Sequence, residues 1–175
     1  MANVKHYVLV SITLGAIAAA SALLIGATNM LTKENIARNE QNKVSSGIAG
    51  IFGESAKISS ESSIEKDDYK YVNYVYEISS SDKEIGYAFK TTGSNMYGKV
   101  SLIIGFDIDS KFVSLSVVTN EQTYASTLVD NYIIPVNEGT RDIYDVNCGA
   151  TYGAKLVRDM IDEAQQASLD KPWKE

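Results

Sequence analysis

One heptapeptide in this chain has the residue types to hold an anion beside a hydroxyl: Asp145, Val146, Asn147, Cys148, Gly149, Ala150 and Thr151. After it, Leu156, Val157, Met160, Ile161 and Ala164 recur at three- and four-residue spacing, which predicts an amphipathic helix over 152–167. Gly149 and Ala150 are the two smallest residue types, set where an extended segment turns into that helix. Glycine adopts backbone angles closed to other residues and lets a ligand approach the main chain. The first N–H groups of a helix have no intrahelical partner, and with the positive end of the dipole they favour a bound anion. Thr151 adds a hydroxyl beside that seat. The same residues also describe an ordinary helix start, with Asp145 and Thr151 as turn or capping residues.

The heptapeptide resembles the flavinylation motif of the FMN-binding domain family. There, Asp, two variable residues, Ser or Thr, Gly and Ala precede a Thr or Ser that a separate flavin transferase joins to FMN through a phosphodiester. Asp145, Gly149, Ala150 and Thr151 match, while Cys148 stands where Ser or Thr is usual. The resemblance implies FMN covalently bound at Thr151, with Asp145, Cys148, Gly149 and Ala150 around it. Cys148 is expected to be a small, mostly buried spacer rather than a redox centre, because the flavin phosphate's negative charge opposes a thiolate there and no second cysteine can pair with it. The family often carries a Glu-Thr-Pro-Gly-Leu-Gly loop near the flavin. Residues 120–126 here read Asn-Glu-Gln-Thr-Tyr-Ala-Ser, so Thr123 matches but the proline and both glycines are absent. Tyr124 is the first candidate to lie against the flavin ring and Tyr97 a weaker one, because a large flat apolar surface suits aromatic contact. With 11 tyrosines in the chain, most are expected simply to pack in strands.

The elements that must position these residues begin with an anchor. Residues 7–31 form a 25-residue run without a charged side chain, where about 20 suffice to cross a hydrocarbon core. A cleaved signal peptide is the rival reading, with Ala18 to Ala22 offering small residues for cleavage; the length of the run favours a retained transmembrane helix. Lys5 favours a cytoplasmic N-terminus, whereas Lys33, Arg38 and Lys43 on the other flank lean the opposite way. The resemblance implies a single-pass protein of the cell membrane with residues 1–6 as a cytoplasmic leader, 7–31 as the anchor and 32–175 outside the cytoplasm. Residues 32–52 read as a polar helix capped by Thr32, with Ile36, Val44, Ile48 and Phe52 as sparse apolar contacts. The Ser- and charge-rich stretch 54–68 reads as a surface connection, so 32–66 is membrane-proximal, and the resemblance implies that 67–175 is the FMN-binding domain.

Three or four strands follow. Over 69–79, Tyr71 and Val75 oppose Val72, Tyr74, Tyr76 and Ile78, so both faces are expected to be covered. Residues 80–82 read as a turn into a strand at 84–90. Residues 100–108 and 112–119 form the strongest hairpin, closed by Asp109 and Ser110. The fold class is therefore α+β: one transmembrane helix, then a mainly antiparallel twisted sheet with packed helices.

Composition excludes several functions. A net charge of −6 with no Lys/Arg cluster argues against nucleic acid. One cysteine forms no internal disulfide, and no Cys/His cluster offers metal ligands. The lone His6 precedes the anchor, so no Ser–His or Cys–His pair is available beyond it. No catalytic residue is assigned. The order of anchor, Thr-Lys-Glu-Asn-Ile-Ala and Gly-Ile-Phe-Gly resembles the start of the G subunit of Rnf complexes. That resemblance implies an electron-carrier subunit coupling ferredoxin/NAD electron transfer to sodium or proton translocation. Its partners would be other membrane and redox subunits, a flavin transferase and membrane lipid. The alternatives are a stand-alone extracytoplasmic flavoprotein for extracellular electron transfer and a flavin-free binding or sensor module.

Overall fold

The computed structural model describes residues 2–64, 69–81 and 83–174. Asp82 of the expected turn and residues 65–68 of the expected connection lie outside them. Contacts divide the chain into two units, Met1–Asn42 and Lys43–Glu175.

The first unit is helical. Its apolar span, Val4–Asn29, has a mean hydropathy of 2.4 and buries none of its surface in the protein, so it is long and apolar enough to cross a membrane. The helix, α1 (Ala2–Phe52), runs on without a break. Thr32 therefore caps nothing. Its hydroxyl donates to the Thr28 carbonyl at 2.7 Å, one turn back inside the helix, as Thr13 and Thr28 do to Leu9 and Leu24. Such back-bonding gives a mid-helix hydroxyl an acceptor within its own helix.

The second unit is a mixed α/β domain. Five strands, β1 (Lys57–Ser63), β2 (Val72–Ser80), β3 (Lys83–Asn95), β4 (Gly98–Asp107) and β5 (Phe112–Asn120), form one antiparallel sheet in sequence order. The β4–β5 hairpin falls where the alternating apolar residues predict it, with Leu102 opposite Val117 and Ile104 opposite Leu115. β3 continues past Lys90 to Asn95 because every residue from Gly86 to Asn95 finds a partner on β4. β1 corrects the expectation of a plain connection over 54–68. Its Lys-Ile-Ser-Ser-Glu-Ser-Ser sequence is almost wholly exposed, an edge strand held through its pairing with β2.

Both faces of the sheet are covered, as the mixed pattern of β2 requires. A bulge between Val72 and Tyr74 changes the parity of that strand. Val72 and Val75 then face one core, Tyr76 and Ile78 the other. The larger core lies under α4 (Thr151–Asp170), whose Leu156, Val157, Met160, Ile161 and Ala164 all pack on Phe89, Leu102, Ile104 and Phe106. Fully burying such a side chain is worth about 1.5–3 kcal/mol, so this face fixes the position of α4. The smaller core receives the end of α1: Val44 and Ile48 are buried there with Ile103, beside Ile51 and Phe52. Ile36, by contrast, is exposed. At Gly105 a Cβ would lie 2.4 Å from Ile51 Cγ2, so only glycine lets the helix end approach β4 this closely. Between β5 and α4 runs a helical segment that periodicity left unassigned: α2 (Ala125–Leu128), a π turn (Val129–Ile133) and α3 (Ile134–Asn137).

Candidate functional site

The backbone entering α4 is shaped by one residue. Gly149 has φ +84°, a left-handed conformation that other residues rarely hold, and it delivers Ala150 to the N-cap position. Ala150 has no side chain that can cap, and among the described residues no other side chain caps this terminus. The first helical bond is Ala154 N–H to the Ala150 carbonyl at 2.9 Å, so the N–H groups of residues 151–153 precede the intrahelical ladder. Arriving at the same place are the β3–β4 turn and the loop after β5. Thr123 N–H donates to the Tyr97 carbonyl at 2.8 Å and Glu121 N–H to the Lys99 carbonyl at 2.8 Å, tying loop to turn.

Where these three segments meet there is a cleft of about 290 Å³. Gly149, Ala150, Thr151, Tyr152 and Gly153 form its helix side, and Tyr97, Gln122 and Tyr124 form the other. Tyr97 is the centre of an aromatic group, with ring centroids 5.9 Å from Tyr124 and 5.5 Å from Tyr152. Tyr124 and Tyr152 are each more than half exposed, at 52% and 58%. Lys155 Nζ stands 5.9 Å from the Tyr152 ring centroid. The cleft thus joins unpaired helix N–H groups, a hydroxyl and flat apolar rings. This combination suits an anion attached to a planar ring.

Of the residues marked by sequence, Thr151, Gly149, Ala150 and Tyr124 line this cleft together, and so does Tyr97. Thr123, Asp145 and Cys148 are not among its lining residues. Thr123 faces the turn, its hydroxyl donating to the Tyr97 carbonyl at 3.3 Å. Asp145 shapes the loop ahead of the helix: Arg141 reaches its Oδ2 and its carbonyl, both at 2.9 Å. Cys148 is buried in the main core, and its carbonyl accepts Asn131 Nδ2 at 3.1 Å. Tyr132 donates to the Ile143 carbonyl further back in the same loop, and burial pushes its phenol well above the usual range. It is therefore a neutral hydrogen-bond donor at physiological pH.

Residues 1–48 match the family model described as the RnfG N-terminal region. The match supports membership of an RnfG-like family and covers only that part of the chain, the anchor and most of α1. No curated protein matches the chain. The matched region and the cleft do not overlap, so the geometry of the cleft has to carry its own chemistry.

Three contributors escaped the sequence reading. Tyr152 reads as the first residue of a helix, and Arg141 is not singled out by type or spacing. Gln122 sat inside the 120–126 stretch compared with the family loop, but nothing in its type or spacing marked it. Only its position against α4 does.

Proposed function

We propose that this protein is a membrane-anchored electron carrier whose FMN is joined through a phosphodiester to Thr151. The observation that carries the reading is the uncapped start of α4, which brings Thr151 and the leading turn of the helix to one cleft with the tyrosine rings. A flavin supplies reversible electron transfer; the protein supplies attachment, orientation and electrostatics. The helix N–H groups receive the phosphate. Gly149 and Ala150 leave room for it, since neither carries a side chain beyond Cβ. Tyr124, Tyr97 and Tyr152 offer faces to the ring. Ligand sites typically run to roughly 300–1,000 Å³, so a cleft of about 290 Å³ encloses the phosphate end and leaves the ring accessible to redox partners. A covalent tether suits such an open site, because retention no longer depends on depth.

The match over residues 1–48 supports placing this carrier in an Rnf-type complex, with other membrane and redox subunits as its partners. Electron transfer through the complex would be coupled to sodium or proton movement elsewhere. Residues 7–31 contain no carboxylate, so this subunit offers no ion path of its own. We place residues 32–175 outside the cytoplasm, where a tether keeps a flavin that no surrounding pool would replace.

The decisive measurement is the mass of the chain made together with a flavin transferase. An adduct of FMN less water is expected on the peptide bearing Thr151, retained in part in Thr151→Ser and missing in Thr151→Ala. An unmodified peptide at full occupancy overturns the reading. Topology is tested separately. Protease added to intact cells stripped of their wall should digest residues 32–175, and protection until lysis reverses the assignment.

A further inference from the structure

The polar network beside the cleft has a fixed direction. Asn95 Nδ2 donates to the Tyr152 carbonyl at 3.0 Å. Its Oδ1 is therefore turned the other way, where it accepts Tyr97 N–H at 2.8 Å and Gln122 Nε2 at 3.0 Å. Gln122 Nε2 also donates to the Gly98 carbonyl at 2.6 Å. Both protons of the Gln122 amide are thus committed to acceptors, and flipping the amide would set oxygen against oxygen at both contacts.

The consequence falls on the other atom. Gln122 is a buried polar residue, 7% exposed, and it lines the cleft. Its Oε1 lies 3.2 Å from where a Cβ on Gly153 would stand, against the first turn of α4. Among the described residues no hydrogen bond is made to that oxygen. The oxygen is not sealed in the protein interior, so it is open to the cleft, and an occupant that displaces its water there has to return a donor or leave the acceptor unpaired. The neighbouring helix N–H groups favour the opposite partner, an anion. A ligand that satisfies both carries a hydroxyl close to its phosphate.

We infer that Gln122 Oε1 accepts a hydrogen bond from a hydroxyl on the phosphate-bearing chain of the ligand, so that the cleft selects a phosphorylated polyol rather than any phosphate tethered to a ring. The inference rests on the FMN reading and adds the feature of FMN that this part of the site recognises, its ribityl hydroxyls. Gly153 belongs to the same device: a side chain there would cover the oxygen.

The test compares two flavin phosphates on the full chain in detergent, made without the transferase so that Thr151 is free. One is FMN; the other is a synthetic flavin whose five-carbon chain carries the phosphate but no hydroxyls. Binding is read from flavin fluorescence. A single neutral hydrogen bond predicts that the wild-type chain prefers FMN by roughly two- to tenfold. Gln122→Met should bring the ratio close to one. Because Gln122→Met also removes the two bonds from Nε2, Gly153→Ala provides a second route. Its Cβ would stand 3.2 Å from the oxygen and 3.0 Å from Leu128 Cδ2, so it crowds the acceptor at the cost of a small shift of both neighbours, removes no partner of Nε2 and is compatible with a helix. A loss of fold would weaken both flavins alike, whereas loss of the hydrogen bond changes their ratio. A wild-type ratio near one, or a ratio that persists in Gly153→Ala, overturns the inference while leaving the FMN reading intact. A wild-type chain that binds neither compound also overturns it, and the FMN reading then stands or falls on the adduct mass at Thr151.

Discussion

The two ends of α4 are finished in opposite ways. At the C-terminus, Lys171 turns left-handed with φ +50° and its N–H closes on the Ala167 carbonyl. The short 3₁₀ turn Pro172–Lys174 then folds back over the sheet. Trp173 sets its ring edge-to-face against Tyr87 and Phe89, both at 5.4 Å between centroids, and its Nε1 donates to Glu77 at 3.2 Å. Ser168 and Ser110 bond across the core at 2.8 Å, and Tyr69 reaches Asp170 at 3.0 Å. The N-terminus has none of this. Among the described residues no side chain caps it, although a Ser, Thr, Asp or Asn at the N-cap is worth about 0.5–2 kcal/mol over alanine. Ala150 forgoes that stabilisation, and the cleft sits where the cap would be. One end of the helix is built for stability; the other keeps its backbone groups available.

Breaking the closed end should produce the largest effect. Truncating a fully buried aromatic to alanine costs about 3–5 kcal/mol. Trp173 is only partly buried, so we expect Trp173→Ala to cost about 2–3 kcal/mol, a fall in melting temperature of roughly 5–15 °C. The adduct at Thr151 should survive in the folded fraction, because the ring contacts Tyr87, Phe89 and Glu77 and nothing in the cleft. The Thr151→Ala variant should behave in reverse, with no adduct and a melting temperature close to wild type. Loss of flavin from folded Trp173→Ala would show that the two ends are coupled after all.

The contrast also explains what sequence could and could not reveal. The buried face of α4 was legible because its five core positions repeat with the helical period, and each is buried. The β4–β5 hairpin was legible because its apolar residues alternate on either side of Asp109 and Ser110. β1 was not, because an edge strand of serines and charges carries no alternation and depends on pairing with β2. The continuity of α1 was missed because Thr32 resembles a cap, whereas its hydroxyl satisfies itself inside the helix. At the cleft, Thr151, Gly149 and Ala150 are adjacent in sequence and stand out together. Gln122, Tyr97 and Tyr152 come from three separate segments, and only tertiary pairing between loop, turn and helix places them side by side. Trp173, near the end of the chain, gave no periodic signal either; its partners are on β2 and β3.

The smallest effect should come from the charges at the closed end. Lys174 Nζ lies 3.5 Å from Glu77 and 3.4 Å from Glu84. Hydrogen bonding to Tyr87, aided by the Lys174 charge, holds the Glu84 carboxyl below its ordinary value of 4.5. Hydrogen bonding to Tyr87, with the nearby carboxylates, holds Lys174 above its ordinary 10.5. The signs follow from linkage. A depressed carboxyl stabilises the fold above its unfolded value, and that contribution is lost as pH falls through the folded one. A raised ammonium stabilises below its unfolded value, and its contribution is lost as pH rises through the folded one. Between the two limits the pair contributes a plateau. Both side chains are well exposed, at 43% and 39%, so solvent and salt screen them and the contribution should stay below about 1 kcal/mol. Glu84→Gln should therefore melt slightly below wild type at neutral pH, with the gap closing on acidification below 4.5 and shrinking in high salt. A gap that persists unchanged in acid would mean that Glu84 acts through packing rather than through its charge.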